Sequence, residues 1–513
     1  MVAQSTAAYD VTTLPAGQDS AGFGGARIDG LGLMTGHGDG AGGIQLQASV
    51  NNMQMTNNVL ENNGGILAGG IGVGQPFVHG SHNFNVRIAN DRVIGNGGLT
   101  SSGGVGIFYG SNNYDVANNI ICSNFGVEYG GGLSHIGLSP NGKIHDNKIY
   151  YNDAVDSGGG ISIQSELPVP SNCDPTTGGT AATCLGDGSG TVNVDRNLIQ
   201  SNSSGDDGGG IFVSNALTVP INIRNNMVVD NLAADLGGAI MLDDSSNTRI
   251  INDTIADNTT TGSSESSQIG VPHGAGLTSE ANEPLFQATL PTGAPDFSNP
   301  TALFNNIFWN NDAMTLDQFG PGATLVDQGF IDFEVHGTTN NADTFTPRYS
   351  DLTNSQILGP NGVQHAVPGG QGNVSADPGF VAPFVNELTV SGSRLDPQQA
   401  AVTITGQDPP VGLTGDYHLT VASTGVIDRG VRCSGTPFPA PINALAACTT
   451  TNRGIGAPIM LPTTPNNLTG GGDYDSQYRP QLRSIRILTP WDLGADEVPG
   501  IQVPAIFLPS PLQ

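Results

Sequence analysis

This chain of 513 residues contains only two lysines, Lys143 and Lys148. Lys and Arg together number 16 against 45 Asp and Glu, which gives a formal net charge of −29 at pH 7. Nucleic-acid binding needs a basic surface that neutralises phosphates, so the composition excludes a nucleic-acid partner and disfavours an anionic membrane surface. It is typical instead of an acidic surface outside the cell, where divalent cations are plentiful.

The chain also lacks any run of about 18 apolar residues, so we predict no transmembrane segment. Its first residues, MVAQSTAAYD, lack the basic and apolar regions of a signal peptide. We interpret Met1 as the start of a fragment rather than as evidence for the cytosol. We expect a secreted, extracellular or cell-surface location.

Cysteine is scarce as well, with five in all. Cys173 and Cys184 flank a loop rich in Gly, Thr and Pro, and Cys433 and Cys448 flank a second loop rich in Pro and Ala. Paired cysteines that close short loops indicate disulfides in an oxidising compartment, so we predict Cys173–Cys184 and Cys433–Cys448 bridges. Cys122 lies inside a repeat, where we expect an isolated thiol. No Cys/His spacing indicates zinc.

One pattern occurs eight times: Asn or Asp, an apolar residue two places later, and Asn five places later. The opening residues are Asn58, Asp91, Asn119, Asn147, Asn197, Asn226, Asp253 and Asn306. The apolar residues are Leu60, Val93, Ile121, Ile149, Ile199, Val228, Ile255 and Phe308. The closing residues are Asn63, Asn96, Asn124, Asn152, Asn202, Asn231, Asn258 and Asn311. The unit is about 28 residues long, with two insertions. A fixed period in this range predicts a solenoid.

Within each unit, apolar residues recur at the strand spacing of two, as in Val192/Val194 and Ile221/Ile223. Glycine pairs then introduce a further apolar residue, such as Ile161. Three short strands, glycine-rich corners and Asn at a fixed corner make one coil of a parallel β-helix. Asn tolerates the left-handed backbone that a sharp corner needs, and stacked amides can form ladders along the axis. We therefore predict an all-β, right-handed, single-stranded parallel β-helix.

These patterns divide the chain into three regions. Residues 1–385 are predicted to form the parallel β-helix, with insertions near 164–190 and 259–300. Residues 386–412 are predicted to be a further insertion, and residues 413–513 a C-terminal β-helix or cap region.

Short motifs follow one another in the C-terminal part of the chain. They are NNIFWNN (305–311), RYSDL (348–352), SADPGF (375–380), GDYHL (415–419), VIDRG (426–430), DYDSQYRP (473–480) and DLGADE (492–497). The series resembles the C-terminal part of bacterial secreted right-handed β-helix proteins of the choice-of-anchor Q group, whose ending reads SPAIDAG, D-x-D-x-x-x-RP and DIGA-x-E. Here STGVIDRG (423–430) departs from SPAIDAG by replacing its Pro. GGAI (237–240) is similar to repeats of polymorphic outer-membrane autotransporters. Both resemblances imply an exported, surface-associated β-helix, and neither implies an activity.

Many parallel β-helices are polysaccharide lyases or hydrolases, but the sequence does not indicate their site chemistry. GHGDG (36–40) contains the Gly-His-Gly string of pectin-type hydrolases, yet His37 precedes the first repeat, so we interpret it as part of a glycine-rich lead-in. Asp206–Asp207 and Asp243–Asp244 are adjacent carboxylates. Neighbours in a strand point to opposite faces, so we do not expect either pair to act on one glycosidic bond.

Four carboxylates share one register of the repeat. Counting back five residues from the apolar residue after the glycines gives Glu128, Asp156, Asp206 and Asp235. Adjacent coils lie about 4.8 Å apart, so these carboxylates would repel at a cost of about 1 kcal/mol per neighbour in water. Ca²⁺ takes carboxylate and carbonyl oxygens and would remove the repulsion. We predict a Ca²⁺ site here; the main alternative is a solvated corner with no bound ion, and a more remote one is a substrate-binding or catalytic role.

Aromatic platforms for sugars are scarce. The chain has two Trp, and the one aromatic cluster comprises Phe108, Tyr109, Tyr114, Tyr129, Tyr150 and Tyr151, for which core packing is the alternative. We therefore predict a secreted or cell-surface structural or adhesive protein of an extracellular assembly. The alternative is a polysaccharide lyase or glycoside hydrolase. Expected partners are extracellular polysaccharide, surface proteins or further copies of this chain.

Overall fold

The computed structural model describes residues 2–3, 25–76, 81–165, 185–264, 270–317, 322–392, 400–404, 414–420, 422–427 and 494–495. Strands of successive coils stack in register into four long sheets, numbered here 1 to 4 in the order in which the chain visits them. This confirms the predicted all-β parallel β-helix. Each coil has four strands rather than three, because a two-residue strand follows the closing Asn.

Sheets 1 and 2 are parallel throughout. The strands of sheet 1 are Arg27–Asp29, Gln54–Thr56, Arg87–Ala89, Asp115–Ala117, Gly142–His145, Val192–Asp195, Ile221–Arg224, Thr248–Ile251 and Ala302–Phe304. The strands of sheet 2 are Gly32–Met34, Val59–Glu61, Arg92–Ile94, Ile120–Cys122, Lys148–Tyr150, Leu198–Gln200, Met227–Val229, Thr254–Ala256, Ile307–Trp309 and Asp351–Leu352.

Sheets 3 and 4 are parallel except for one antiparallel strand at the end of each. The strands of sheet 3 are His37–Gly38, Gly64–Gly65, Gly97–Gly98, Phe125–Gly126, Asp153–Ala154, Ser203–Ser204, Leu232–Ala233, Thr259–Thr260, Asp312–Leu316 and Leu325–Phe330. The strands of sheet 4 are Val2–Ala3, Ile44–Leu46, Ile71–Val73, Val105–Phe108, Leu133–Ile136, Ile161–Gln164, Ile211–Ser214, Ile240–Asp243, Leu277–Glu280, Phe333–His336, Gln356–Leu358 and Gln364–Ala366.

Smaller elements lie outside the four sheets. Asn83–Phe84 pairs in parallel with Ser111–Asn112. One helical turn spans Pro284–Gln287, within the insertion predicted near 259–300. No helix among the described residues is long and apolar enough to cross a membrane.

The apolar residues of the repeat lie in the strands of sheet 2, and their side chains point into the interior. Ile121 pairs with Ile149, Ile149 with Ile199, and Ile199 with Val228. All four side chains are fully buried. The predicted file of stacked apolar residues is therefore confirmed, and it forms one wall of the core.

The closing asparagines form a continuous ladder of buried amides. Asn152 donates through Nδ2 to Oδ1 of Asn202, and Asn202 donates to Asn231, each at 2.9 Å. Each amide also donates to a main-chain carbonyl of the wall, as Asn202 does to Ile149 at 3.0 Å. The opening residues form a second ladder of the same kind. Because buried polar groups need partners, the two ladders make the corners compatible with a dry core.

At each corner, the residue whose backbone has a positive φ is the one immediately before the ladder Asn or Asp. Asn57, Asn118 and Asn225 take φ values of 57°, 57° and 55°, and Tyr151 and Arg196 take 53° at equivalent places. The prediction that the ladder asparagines themselves adopt this conformation is wrong. The left-handed residue turns the chain so that the next side chain points inward. Large side chains are tolerated there because the surrounding hydrogen bonds determine the corner.

The region predicted as an insertion at 386–412 contains the antiparallel strands Leu388–Gly392 and Ala400–Ile404, which form a separate two-stranded sheet. Its apolar side chains Leu388 and Ile404 pack with Cys122, Tyr150 and Leu232 of the solenoid. The insertion therefore lies against the outside of the coils.

Parts of the region predicted as a C-terminal β-helix or cap, 413–513, also fold back on the solenoid. Tyr417 donates to Oδ2 of Asp257 at 3.1 Å, and the main-chain N–H of Ala495 donates to Oγ1 of Thr254 at 3.0 Å. Gly494, in the DLGADE motif, has φ 80°, and a Cβ there would lie 2.7 Å from Cδ1 of Ile307. Only glycine fits this close approach to the outer face of sheet 2.

The cysteine predictions have different outcomes. Cys122 is a buried thiol in the strand Ile120–Cys122, and its Sγ lies 3.2 Å from Oγ of Ser123. Cys173, Cys184, Cys433 and Cys448 lie outside the described residues, so their two bridges stay predictions.

Candidate functional site

The acidic register lies in the turns that connect sheet 3 to sheet 4. The main-chain N–H of Asp206 donates to the carbonyl of Asp156 at 3.1 Å, and that of Asp235 donates to the carbonyl of Asp206 at 2.9 Å. These residues thus occupy equivalent places in successive coils. Glu128 occupies the turn of the preceding coil, between Phe125–Gly126 and Leu133–Ile136. We call the four residues the acidic column.

Asp207 joins the column, contrary to the expectation for adjacent carboxylates. Carboxylate oxygens of Asp206, Asp207 and Asp235 all lie within 4.8 Å of one another. The expectation assumed a strand, in which neighbours point to opposite faces, but residues 205–207 form a bend before the strand Ile211–Ser214. Because a bend has no alternation, both side chains can turn to the same side. Asp206 and Asp207 therefore converge, and the prediction that they point to opposite faces is wrong.

The electrostatics of the column reflect burial and mutual repulsion. Burial and the neighbouring Asp206, Glu280 and Asp235 raise the pKa of Asp207 well above its usual range. Burial and Asp206 also raise the pKa of Asp156. Carboxyl groups this close repel one another when all of them are ionised. The column therefore favours either retained protons or a bound cation.

Two hydrogen bonds orient the convergent carboxylates. Ser264 donates through Oγ to Oδ1 of Asp206 at 2.8 Å, and the main-chain N–H of Leu236 donates to Oδ1 of Asp207 at 3.0 Å. These two hydrogen bonds therefore restrict the orientation of the Asp206 and Asp207 carboxylates.

Arginines of the repeats pair at the corner between sheets 1 and 2. Arg196 donates through Nε to Oδ1 of Asp146 at 2.8 Å and also pairs with Asp195. Arg224 lies 3.3 Å from the same Asp195. The guanidinium groups of Arg196 and Arg224 therefore neutralise Asp146 and Asp195. Neither of these two carboxylates belongs to the acidic column.

The acidic column continues into a cluster of histidine and glutamate. Nε2 of His273 lies 3.3 Å from Oδ1 of Asp235, and Nδ1 of the same ring lies 3.3 Å from Oε1 of Glu334. Nδ1 of His336 lies 3.1 Å from the same Oε1 of Glu334. Burial and the neighbouring Asp243 raise the pKa of Glu280, which pairs in register with His336, to about 7. None of the sequence patterns predicted this cluster.

Two sequence signals could have located the cluster. His273 precedes Gly274, so it begins a glycine corner like those of the other coils. Glu334 and His336 are spaced by two in the strand Phe333–His336, which places both on its outer face. His273 itself lies within the insertion predicted near 259–300, so the repeat register could not be counted to it.

The other sequence candidates do not join this site. His37 lies on the first strand of sheet 3, exposed, in agreement with the lead-in interpretation. In the aromatic cluster, Phe108, Tyr114, Tyr150 and Tyr151 are buried. Most of the cluster is therefore explained by core packing and not by a platform for sugars.

A concave region that does not include the acidic column lies beside sheets 2 and 3. It is a cleft of about 500 Å³ whose lining includes Asp230, Asp257, Asp312 and Asp327 together with Phe330. Burial and the neighbouring Asp327 raise the pKa of Asp312 to about 7. Burial also raises the pKa of Asp230 well above its usual range and that of Asp257 to about 6.

Fold and site together define a parallel β-helix protein with a line of carboxylates along one corner and a histidine–glutamate cluster at its end. No protein-family model matches the sequence, and a search of curated proteins finds no significant match.

Proposed function

We propose that this protein is a structural or adhesive β-helix of the cell surface or extracellular space, and that Ca²⁺ bound to the acidic column stabilises it. The observation that carries the proposal is the convergence of Asp206, Asp207 and Asp235, whose oxygens lie within 4.8 Å of one another. Two unit charges at that distance repel by about 1 kcal/mol in water and by about 3–4 kcal/mol at an effective dielectric constant of 20. A divalent cation converts this repulsion into attraction.

The chemistry of the column suits calcium. Ca²⁺ takes six to eight oxygen ligands, including carboxylates, main-chain carbonyls and water, in a flexible geometry. Three carboxylates supply several of these oxygens, and water would supply the remainder. The net charge of −29 further favours cation binding.

The location outside the cell rests on composition and on sequence resemblance. The ordered C-terminal motifs resemble those of bacterial choice-of-anchor Q proteins, which are exported. The two predicted disulfides, Cys173–Cys184 and Cys433–Cys448, would require an oxidising compartment. Partners in this setting are extracellular polysaccharide, surface proteins or further copies of the chain.

Calcium is expected to raise the melting temperature of the protein. Binding to the folded state alone contributes about 2.7 kcal/mol at a hundredfold excess over the dissociation constant. Calorimetry in chelator and in millimolar Ca²⁺ measures the shift. An Asp206→Asn/Asp235→Asn double variant should lose the calcium response, whereas Glu387→Gln, an exposed carboxylate outside the column, should keep it. Equal melting temperatures of the parent with and without Ca²⁺ would return the column to a solvated corner.

A second candidate function is glycoside hydrolysis of an extracellular polysaccharide. The observation that favours it is the position of His273 beside Asp235, with Asp206 and Asp207 adjacent. Retaining glycosidases use two carboxyl groups about 5–5.5 Å apart, one of them protonated, which is slightly farther than the 4.8 Å within which oxygens of these three aspartates lie. The raised pKa of Asp207 is suited to the acid, and Asp206 or Asp235 would be the second carboxylate.

Hydrolysis is tested by incubating the protein with acidic and neutral polysaccharides and measuring new reducing ends. Loss of a general acid typically lowers the rate by about 10²–10⁴-fold, so Asp207→Asn should remove nearly all of the activity. Glu387→Gln again serves as the control. Absence of reducing ends from every polysaccharide, or equal activity of Asp207→Asn, would leave the structural role alone.

A further inference from the structure

Three side chains with nitrogen and oxygen ligands meet at the end of the acidic column. Glu334 and His336 project from the outer face of the strand Phe333–His336, and His273 comes from the glycine corner of the preceding coil. The main-chain N–H of Gly274, next to His273, reaches Glu334, so corner and strand are joined directly.

Distances within the cluster match the edges of a metal polyhedron. Oε1 of Glu334 lies 3.3 Å from Nδ1 of His273 and 3.1 Å from Nδ1 of His336. All three ligand atoms lie within 4.8 Å of one another. In a tetrahedral zinc site with bonds of about 2.0–2.1 Å, neighbouring ligand atoms are about 3.3–3.4 Å apart. Little movement would be needed to bring all three atoms into bonding distance of one ion.

Further hydrogen bonds orient these ligands. Oε2 of Glu334 accepts the main-chain N–H of Gly274 at 2.6 Å, which leaves Oε1 directed at the two rings. Nε2 of His273 faces Oδ1 of Asp235 at 3.3 Å. A metal-binding histidine usually donates its other ring N–H to a carboxylate or carbonyl, which fixes the tautomer and strengthens the ligand. Asp235 is placed to perform this role.

The exposed fractions of the three side chains indicate how an ion would be held and how it would enter the site. The side chains of His273, Glu334 and His336 are 5%, 3% and 41% exposed. Two ligands are therefore held within the protein, and the third borders solvent, where water can complete the coordination. Three protein ligands with one open position are typical of zinc sites that keep a bound water.

We propose that His273, Glu334 and His336 bind a transition-metal ion of the Zn²⁺ class, with water as the fourth ligand. Two imidazole nitrogens and one carboxylate oxygen suit Zn²⁺ and its neighbours in the first transition row, whereas Ca²⁺ prefers oxygen alone. This site is therefore chemically distinct from the carboxylate column, although Asp235 borders both.

Calorimetric titration of the chelator-treated full chain with Zn²⁺, in excess Ca²⁺ to occupy the acidic column, tests the proposal. One strong site per chain is expected. His336→Ala, which removes the most exposed ligand, should weaken binding by at least about 100-fold, since loss of even an outer hydrogen-bonding partner costs about 10–100-fold. Exposed His37→Ala is the matched control and should bind as the parent does. Circular dichroism of each variant establishes that it is folded.

Co²⁺ gives an independent readout, because four-coordinate Co²⁺ absorbs visible light far more strongly than the hydrated ion. The parent and His37→Ala should develop this absorption, and His336→Ala and Glu334→Gln should not. Asp206→Asn, which alters only the column, should lose calcium affinity and keep zinc affinity. The proposal is overturned if the parent lacks a stoichiometric zinc site, or if folded His336→Ala binds zinc with unchanged affinity.

Discussion

Replacement of Ile199 by Asp is expected to unfold the central coils of the solenoid. Ile199 is fully buried and stacks between Ile149 and Val228 in the interior file. An aspartate there would be a buried charge without a partner, and its cost would exceed about 4 kcal/mol. Because each coil contacts only its neighbours, the loss should spread to both adjacent coils.

Thermal melting and hydrogen exchange measure this effect. The matched control is Leu99→Asp, which makes the same kind of change at a side chain that is 61% exposed. Surface substitutions of this kind change stability by about 0.5 kcal/mol or less. A melting temperature of Ile199→Asp within a degree or two of the parent would contradict the register of the core.

An Asp253→Asn variant is expected to be more stable than the parent at neutral and alkaline pH. Asp253 occupies a rung of the ladder of opening residues, where its Oδ1 accepts Nδ2 of Asn226 at 2.9 Å. Unlike Asn, an ionised carboxylate cannot donate onward to the wall. Burial raises the pKa of Asp253 to about 8, against the weaker opposing effect of its hydrogen bonds.

The pH dependence has a definite sign. A carboxyl group whose pKa is higher in the folded state binds its proton more tightly there, so it weakens the fold as pH rises from about 4 to about 8. Asn carries no such penalty. The difference between variant and parent should be small near pH 4 and reach on the order of 4–5 kcal/mol at pH 7–8. Denaturant unfolding at several pH values measures it.

Asp91→Asn is the matched control, since Asp91 occupies the same rung in another coil. Burial raises its pKa only to about 6. Its stabilisation should therefore be smaller and complete by about pH 6. The prediction is contradicted if the stability difference between Asp253→Asn and the parent does not depend on pH. It is also contradicted if Asp253→Asn is less stable than the parent.

The sequence alone determined the solenoid, the apolar file and the amide ladders. These features repeat from coil to coil, so one unit such as that of Asn197, Ile199 and Asn202 predicts the others. Strand pairing at a fixed period then converts equal spacing in the chain into neighbours in space. For the same reason the register of Asp156, Asp206 and Asp235 was predictable.

Features that do not repeat were decided by the tertiary structure. Asp207 joins the column because its backbone bends, and His273 meets Glu334 across 60 intervening positions that include an irregular insertion. Likewise, the return of Tyr417 and Ala495 to the outer face of sheet 2 follows from long-range packing and not from any local pattern. Loops of unequal length carry no register, so only the folded chain brings these side chains together.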